Sequence, residues 1–234
     1  MVRFFLFLVL FAWPSLVDAQ LIFGWSAGYA NPKEINRAIH VYNSVHSQTL
    51  SKEMQPVHFN HGLVAGYRIG SDGFVELLYT RKVATVSAQA DSAGVLLERQ
   101  LKVLSNTWNF GGGVALDSRL RIGLSVDVGR FKGRGRRGPE STIGDQEFQK
   151  LWVLDDTRLL GISAYKLYMA STVFAEMDFG LIGLRVYYQF AFLRNQMERL
   201  DSWLLSGQTL NWGTYLDDKF SNAGVMLTLQ LGKR

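Results

Sequence analysis

Between Leu120 and Gly129 the chain alternates without interruption. Leu120, Ile122, Leu124, Val126 and Val128 are apolar, while Arg121, Gly123, Ser125, Asp127 and Gly129 between them are small or polar. A period of two puts successive side chains on opposite faces of a strand, so this stretch reads as a strand with one apolar and one polar face. Just before it, across the break at Asp117-Ser118, Trp108, Phe110, Val114 and Leu116 alternate with Thr107, Asn109, Gly111, Gly113 and Ala115. The two halves make a hairpin.

The same period recurs along the chain. It appears in Leu21–Ala30, Val57–Gly70, Phe74–Ser87, Arg99–Leu116, roughly Ile162–Asp178, Ile182–Phe192 and Asn222–Gly232, which with the opening stretch predicts eight strands. The period changes to helical only after the first strand. There Asn31-Pro32-Lys33-Glu34 supplies a helix start, and Ile35, Ala38, Ile39 and Tyr42 recur on one helical face. The predicted connections alternate in length: 31–56 is long and 71–73 short, 88–98 longer and 117–118 short, about 132–160 long and 179–180 short, and 195–220 long. Outer-membrane barrels have short turns on one side and long loops on the other, whereas nothing imposes this on a soluble meander.

Polarity decides which face is inside. Arg68, Glu76, Lys82, Arg119, Arg121, Asp127, Lys166, Glu176, Asp178 and Arg185 all fall on the face otherwise rich in Gly, Ser, Thr, Asn and Ala. An eight-stranded barrel is just wide enough for side chains to fill it, so small residues and charges of both signs suit an enclosed, mutually paired lumen. The apolar face then meets lipid. Arg81 breaks the rule, falling among Val75, Leu77, Tyr79 and Val83. It reads either as a residue at the membrane rim, where charge costs little, or as a sign of a bulge. The expectation is an all-β, eight-stranded antiparallel transmembrane up-and-down β-barrel with a short helix in the first extracellular loop.

Composition narrows the setting. The sequence has 234 residues, no cysteine, 23 glycines and four prolines, which excludes a disulfide framework and thiolate metal sites. Arg3, the apolar run Phe4–Trp13 and the small-residue site Val17-Asp18-Ala19 read as a secretory signal peptide over 1–19, leaving 20–234 as the barrel domain. No later run reaches the ~20 apolar residues of a spanning helix. The net charge of +5 together with a signal peptide favours anionic lipid or saccharide phosphate over nucleic acid as a partner.

With the signal peptide, the strand count and the closing strand Leu227-Thr228-Leu229-Gln230-Leu231-Gly232, the chain resembles the small eight-stranded outer-membrane β-barrels of the OmpA/OmpX type, often described as porin-like. It departs from many of them in ending Gly232-Lys233-Arg234 rather than on an aromatic residue. The resemblance implies a bacterial outer-membrane location with both mature termini periplasmic, and a structural or interaction role in the envelope. A small channel or transporter is the alternative, and a lipid-modifying enzyme the second.

No residues are nominated as catalytic, metal-binding or cofactor-binding. His58 and His61, three apart on a strand, point to opposite faces, and a set of His58, Glu76 and a serine is one that almost any chain offers. Asp155-Asp156 and Asp217-Asp218 pair carboxylates in outer loops without a histidine at a telling spacing. Two stretches carry interaction readings. Lys132, Arg134, Arg136 and Arg137, in a Gly-rich segment leaving the membrane, are candidate contacts for glycolipid phosphates, or else a solvated, flexible Gly/Arg loop. Phe148, Leu151, Trp152, Trp203, Leu204 and Trp212, apolar residues in long loops, are candidate docking residues for another envelope protein, or else a compact cover over the barrel mouth.

Overall fold

The computed structural model describes residues 19–150, 158–159, 162–163, 167–193, 195–196, 203–204 and 217–232. Its principal strands are β1 (Ala19–Ala30), β2 (Phe59–Ile69), β3 (Gly73–Ser92), β4 (Val95–Ala115), β5 (Leu120–Pro139), β6 (Leu167–Asp178), β7 (Ile182–Ala191) and β8 (Asn222–Gly232). Each pairs antiparallel with its sequence neighbours. The ring closes where β8 meets β1, from Gln20 opposite Gly232 to Ala30 opposite Asn222. Within the ring, closure pairs both edges of every principal strand, which is what lets a sheet stand in a medium that offers the backbone no hydrogen bonds.

Side chains sort by the pleat. Leu63 and Leu124 are 69% and 60% exposed, and Ile122, Val186 and Leu227 point outward with them rather than into a shared core. An apolar surface that encircles the whole molecule is a lipid-facing belt. Trp25, Tyr79, Trp108 and Tyr188 belong to its outer face, with the Tyr79 and Trp108 rings 5.0 Å apart on neighbouring strands. Arg81 lies near the upper limit of this belt, one step below the outward pair Val83 and Leu104. It points outward, opposite Asn106, which is itself opposite Arg130. The pairing of β2 with β3 runs without a shift from His61–Val83 to Ile69–Val75, so Arg81 needs no bulge to explain it.

Above Arg81 the two faces exchange character. The outer face of the β3–β4–β5 sheet becomes polar, with Thr85, Ser87, Gln100, Lys102 and Arg134, while its inner face carries Ala84, Ala88, Leu101, Val103 and Phe131, all buried. This corrects two expectations. Residues 88–98 are not a loop: β3 and β4 continue to a two-residue turn at Ala93-Gly94, whose φ angles of 53° and 81° are those of a tight hairpin turn. The basic stretch after Arg130 is likewise strand as far as Pro139, followed by a 3-10 turn over Glu140–Asp145.

Helix α1 (Lys33–Val45) lies across the wide end of the barrel. Ile35, Ala38, Ile39 and Tyr42 are buried against the inner face of the protruding sheet together with Met54, Val57, Trp203, Leu204 and Phe220. Pro32 stands at the N-cap, and Asn31 Oδ1 accepts from Asn36 Nδ2 at 3.1 Å. Two helical amides bind the returning chain. Asn36 Oδ1 accepts from the Val57 backbone N–H at 2.7 Å, and Asn43 both accepts from and donates to the Met54 backbone at 3.0 and 2.9 Å. These bonds satisfy main-chain groups that the short strand Leu50–Lys52 leaves behind.

At the opposite end the connections are tight. In the β4–β5 turn, Asp117 Oδ1 accepts the backbone N–H groups of Arg119 and Leu120 at 2.6 and 2.7 Å. Ala19 and Gly232 lie at this same end, beside each other at the seam.

The position of the belt has a measurable consequence. Leu124→Arg, in the middle of the lipid-facing positions Leu120–Val128 of β5, should lower stability in reversible unfolding from lipid vesicles by about 2–4 kcal/mol, whereas Arg81→Leu at the rim should change it by about 1 kcal/mol or less.

Candidate functional site

The lumen is built around four side chains from two opposed hairpins. Arg68 and Glu76 face one another across β2–β3, and Glu176 and Arg185 across β6–β7. Inside the barrel they interlock. Arg68 donates to both oxygens of Glu176 at 2.6 and 2.9 Å and to Glu76 at 3.0 Å. Arg185 donates to both oxygens of Glu76 at 2.7 Å and to Glu176 at 2.8 and 2.9 Å. Arg121 extends the array, its Nη1 2.8 Å from Asp178 and 3.6 Å from Glu176. Phe74 and Phe174 flank it, with the guanidinium carbons of Arg68 and Arg185 lying 4.6 and 3.8 Å from their ring centres.

A second polar layer sits nearer the wide end. Asp127 is fully buried and accepts from Ser125 Oγ, Thr172 Oγ1 and Gln189 Nε2. Gln189 in turn accepts from Asn222, whose Oδ1 lies 3.4 Å from Lys82 Nζ. Lys82 also stands 4.5 Å over the Tyr187 ring, and the Tyr187 hydroxyl is 3.0 Å from Ser26 Oγ. Four buried cations thus face four buried anions among the described residues: Arg68, Lys82, Arg121 and Arg185 against Glu76, Asp127, Glu176 and Asp178. Every one of these charges has a polar or ionic partner in the array, the condition under which buried charge is tolerable.

The lumen is therefore filled. It is filled partly by apolar groups too, since Ile22, Val64, Phe74, Leu78, Phe174, Tyr187 and Met226 pack together inside it. The protein is an eight-stranded transmembrane β-barrel with an occupied interior. No family model matches the sequence, and no curated protein matches it. Among solved structures the chain is similar to Ail, the attachment invasion locus protein of Yersinia pestis. In complex with the heparin analogue sucrose octasulfate, Ail is 9% identical over 91% of this chain and 97% of its own, with a TM-score of 0.41. Without that ligand the figures are 10%, 92%, 99% and 0.40; for its backbone structure in a phospholipid bilayer nanodisc they are 11%, 92%, 99% and 0.35. The architecture stated here rests on the strand pairings themselves.

Of the ten charges expected in the lumen, eight are there. Arg119 is not: it is exposed in the β4–β5 turn, because the Asp117 carboxylate draws its backbone N–H into that turn before β5 begins at Leu120. Lys166 lies outside the described residues. The alternation pattern also implied inward positions for Ser125, Thr172, Gln189, Asn222 and Gln230, but neutral side chains carry no signal that separates a charge-binding residue from a merely small one. Gln230 Nε2 donates to Glu176 at 3.1 Å.

The basic stretch divides by face. Lys132, Arg134 and Arg136 lie on the outer face of β5, above Arg130, while Arg137 lies on the inner face opposite Arg99. Arg136 is engaged within the chain, donating to Gln100 Oε1 at 2.8 Å and to the Gly144 carbonyl at 3.1 Å, with the Phe148 ring 4.4 Å away. Of the six loop residues expected to dock a partner, Trp203 and Leu204 are instead buried. Their backbone carbonyls accept from Arg99 Nη1 at 2.8 and 2.6 Å, and Trp203 packs so closely on Gly135 that a Cβ there would sit 2.4 Å from its ring. They help cover the barrel mouth. Phe148 is half-buried between Lys102 and Arg136; Leu151, Trp152 and Trp212 lie outside the described residues.

The ionic array predicts an asymmetry between two substitutions of charge. Glu176→Gln leaves Arg68 and Arg185 under-compensated in the lumen and should cost about 3–5 kcal/mol of unfolding stability. Arg119→Gln, a change in an exposed turn, should stay within about 0.5 kcal/mol in the same vesicle assay.

Proposed function

We propose that this chain is a non-conducting integral protein of the bacterial outer membrane, and that it acts through its outward surface rather than through its lumen. Residues 1–19 serve as a cleaved signal peptide. The mature termini lie in the periplasm and the wide end faces outside, the usual arrangement of barrels with short periplasmic turns. The observation that carries the reading is the pairing of a plugged interior with a basic outer face starting at the edge of the apolar belt. Arg81, Arg130, Lys132, Lys102 and Arg134 occupy successive outward positions there on three neighbouring strands.

That position is the level of lipid headgroups. Cations there meet phosphate, each contributing about 1 kcal/mol of attraction to an anionic surface. The partner proposed is accordingly the phosphorylated glycolipid of the outer leaflet, with the role structural or interactive and other envelope proteins as further partners. The polyanion in the Ail complex is of the same charge class. The hydrolase set of His58 and Glu76 is not assembled: Glu76 is bound by two arginines, and His58 stacks on Tyr29 with Nδ1 3.2 Å from the Ala30 carbonyl.

Two measurements test the reading. Barrels purified from native membranes with Arg81, Arg130 and Arg134 each changed to Gln should carry several-fold less glycolipid than the unaltered protein; equal lipid content would overturn the lipid contact. In planar bilayers the unaltered protein should give no stable conductance steps, and a steady open channel would overturn the closed-lumen reading.

A further inference from the structure

On the inner face of the protruding sheet, between it and the C-terminal end of α1, lies an open cleft of about 450 Å³. Its walls are mainly apolar, from Leu50, Ala88, Ala90 and Leu97. Two arginines also line it, Arg99 on β4 and Arg137 on β5, and they are direct cross-strand partners on the same face. Like charges placed opposite each other on a sheet destabilise it. His46 lines the cleft as well, and its Nε2 is buried without a hydrogen-bond partner among the described residues.

The carboxylate among the lining residues, Glu98, accepts from Gln100 Nε2 at 2.9 Å. Arg99 is held in place by the Trp203 and Leu204 carbonyls, with its guanidinium carbon 5.2 Å from the Tyr42 ring centre and 5.3 Å from that of Trp203. It cannot swing away from Arg137 without giving up those contacts. Burial, and then the nearby Arg99 charge, lower the pKa of the His46 imidazole and so favour its neutral form, which retains one lone pair.

We propose that this cleft is a binding site for a small amphiphilic anion, with a carboxylate, sulfonate or phosphate head between Arg99 and Arg137 and an apolar body against Leu50, Ala88, Ala90 and Leu97. Such a ligand relieves the repulsion between the arginines and covers the apolar walls in one event. The site is separate from the outer basic face: Arg137 and Arg134 are on opposite sides of β5.

The test uses 2-naphthoate as probe, titrated calorimetrically into the full mature chain in phosphatidylcholine nanodiscs, with heat-dependent gel mobility confirming that each variant is folded. Saturable one-site binding is expected. Arg137→Gln should weaken it at least tenfold, and Ala90→Phe, which fills the cleft beside Leu50 and Leu97 on the same sheet face as the arginines, should abolish it. Arg134→Gln should leave it unchanged, and neutral 2-naphthalenemethanol should bind at least tenfold more weakly. The proposal is overturned by the absence of saturable binding, by equal affinity in the Arg137→Gln and Ala90→Phe variants, by equal losses in Arg134→Gln and Arg137→Gln, or by equal binding of the neutral probe. Because this readout involves neither glycolipid nor conductance, its failure leaves the outer-face reading standing, and the reverse.

Discussion

A sheet immersed in hydrocarbon has nowhere to put an unpaired backbone group, and the rest of this molecule follows from that constraint. The eight principal strands must close, and at this strand number closure makes a narrow interior. Narrowness means that every inward side chain meets another. Charges placed there are then acceptable only as a compensated set, and Arg68, Glu76, Glu176 and Arg185 form one whose hydrogen bonds run between opposite walls. A lumen so filled underlies the non-conducting reading proposed above, on which the surfaces left to act are those above the lipid.

Those surfaces belong to a sheet that keeps its pleat while its solvent changes. Within the membrane the outward positions of β3 are Val75, Leu77 and Tyr79; beyond Arg81 and Val83 they are Thr85, Ser87 and Gln89. The inward positions change from Glu76, Thr80 and Lys82 to Ala84 and Ala88, which pack against α1. Lipid outside calls for polar groups inside a small barrel, and water outside calls for the reverse. One continuous hairpin satisfies both, and its upper half creates the cover over the mouth and the cleft beside it.

This explains what was legible in the sequence and what was not. Strand number, strand order and the lipid-facing set could be read because a period of two is local: Leu120–Val128 announces its faces without reference to any other strand. The upper half of the β3–β4 hairpin was missed because its alternation inverts, so Ala88–Glu98 resembles a polar loop when judged by the rule that holds lower down. Eight of the ten lumen charges could be assigned to a face, yet their partners could not, since who meets whom depends on the register of strands such as β3 and β7, more than a hundred residues apart. Arg119 shows the limit of alternation at a turn, where one side-chain carboxylate redirects the backbone. Trp203 and Leu204 show another: apolar loop residues look alike in sequence whether they cover a core or await a partner.

The arrangement of the four central charges bears on how such a chain can enter a bilayer at all. Arg68 and Glu76 sit across one hairpin, Glu176 and Arg185 across another on the far side of the ring. Within each hairpin these two central charges are already paired with each other, while Lys82 leaves the first hairpin and Asp178 the second with one further charge of opposite sign. Completing the cylinder adds trans-lumen partners to the intra-hairpin ones, so each guanidinium and each carboxylate ends with two, and closing the ring is what brings the opposite surplus charges of the two hairpins into one interior.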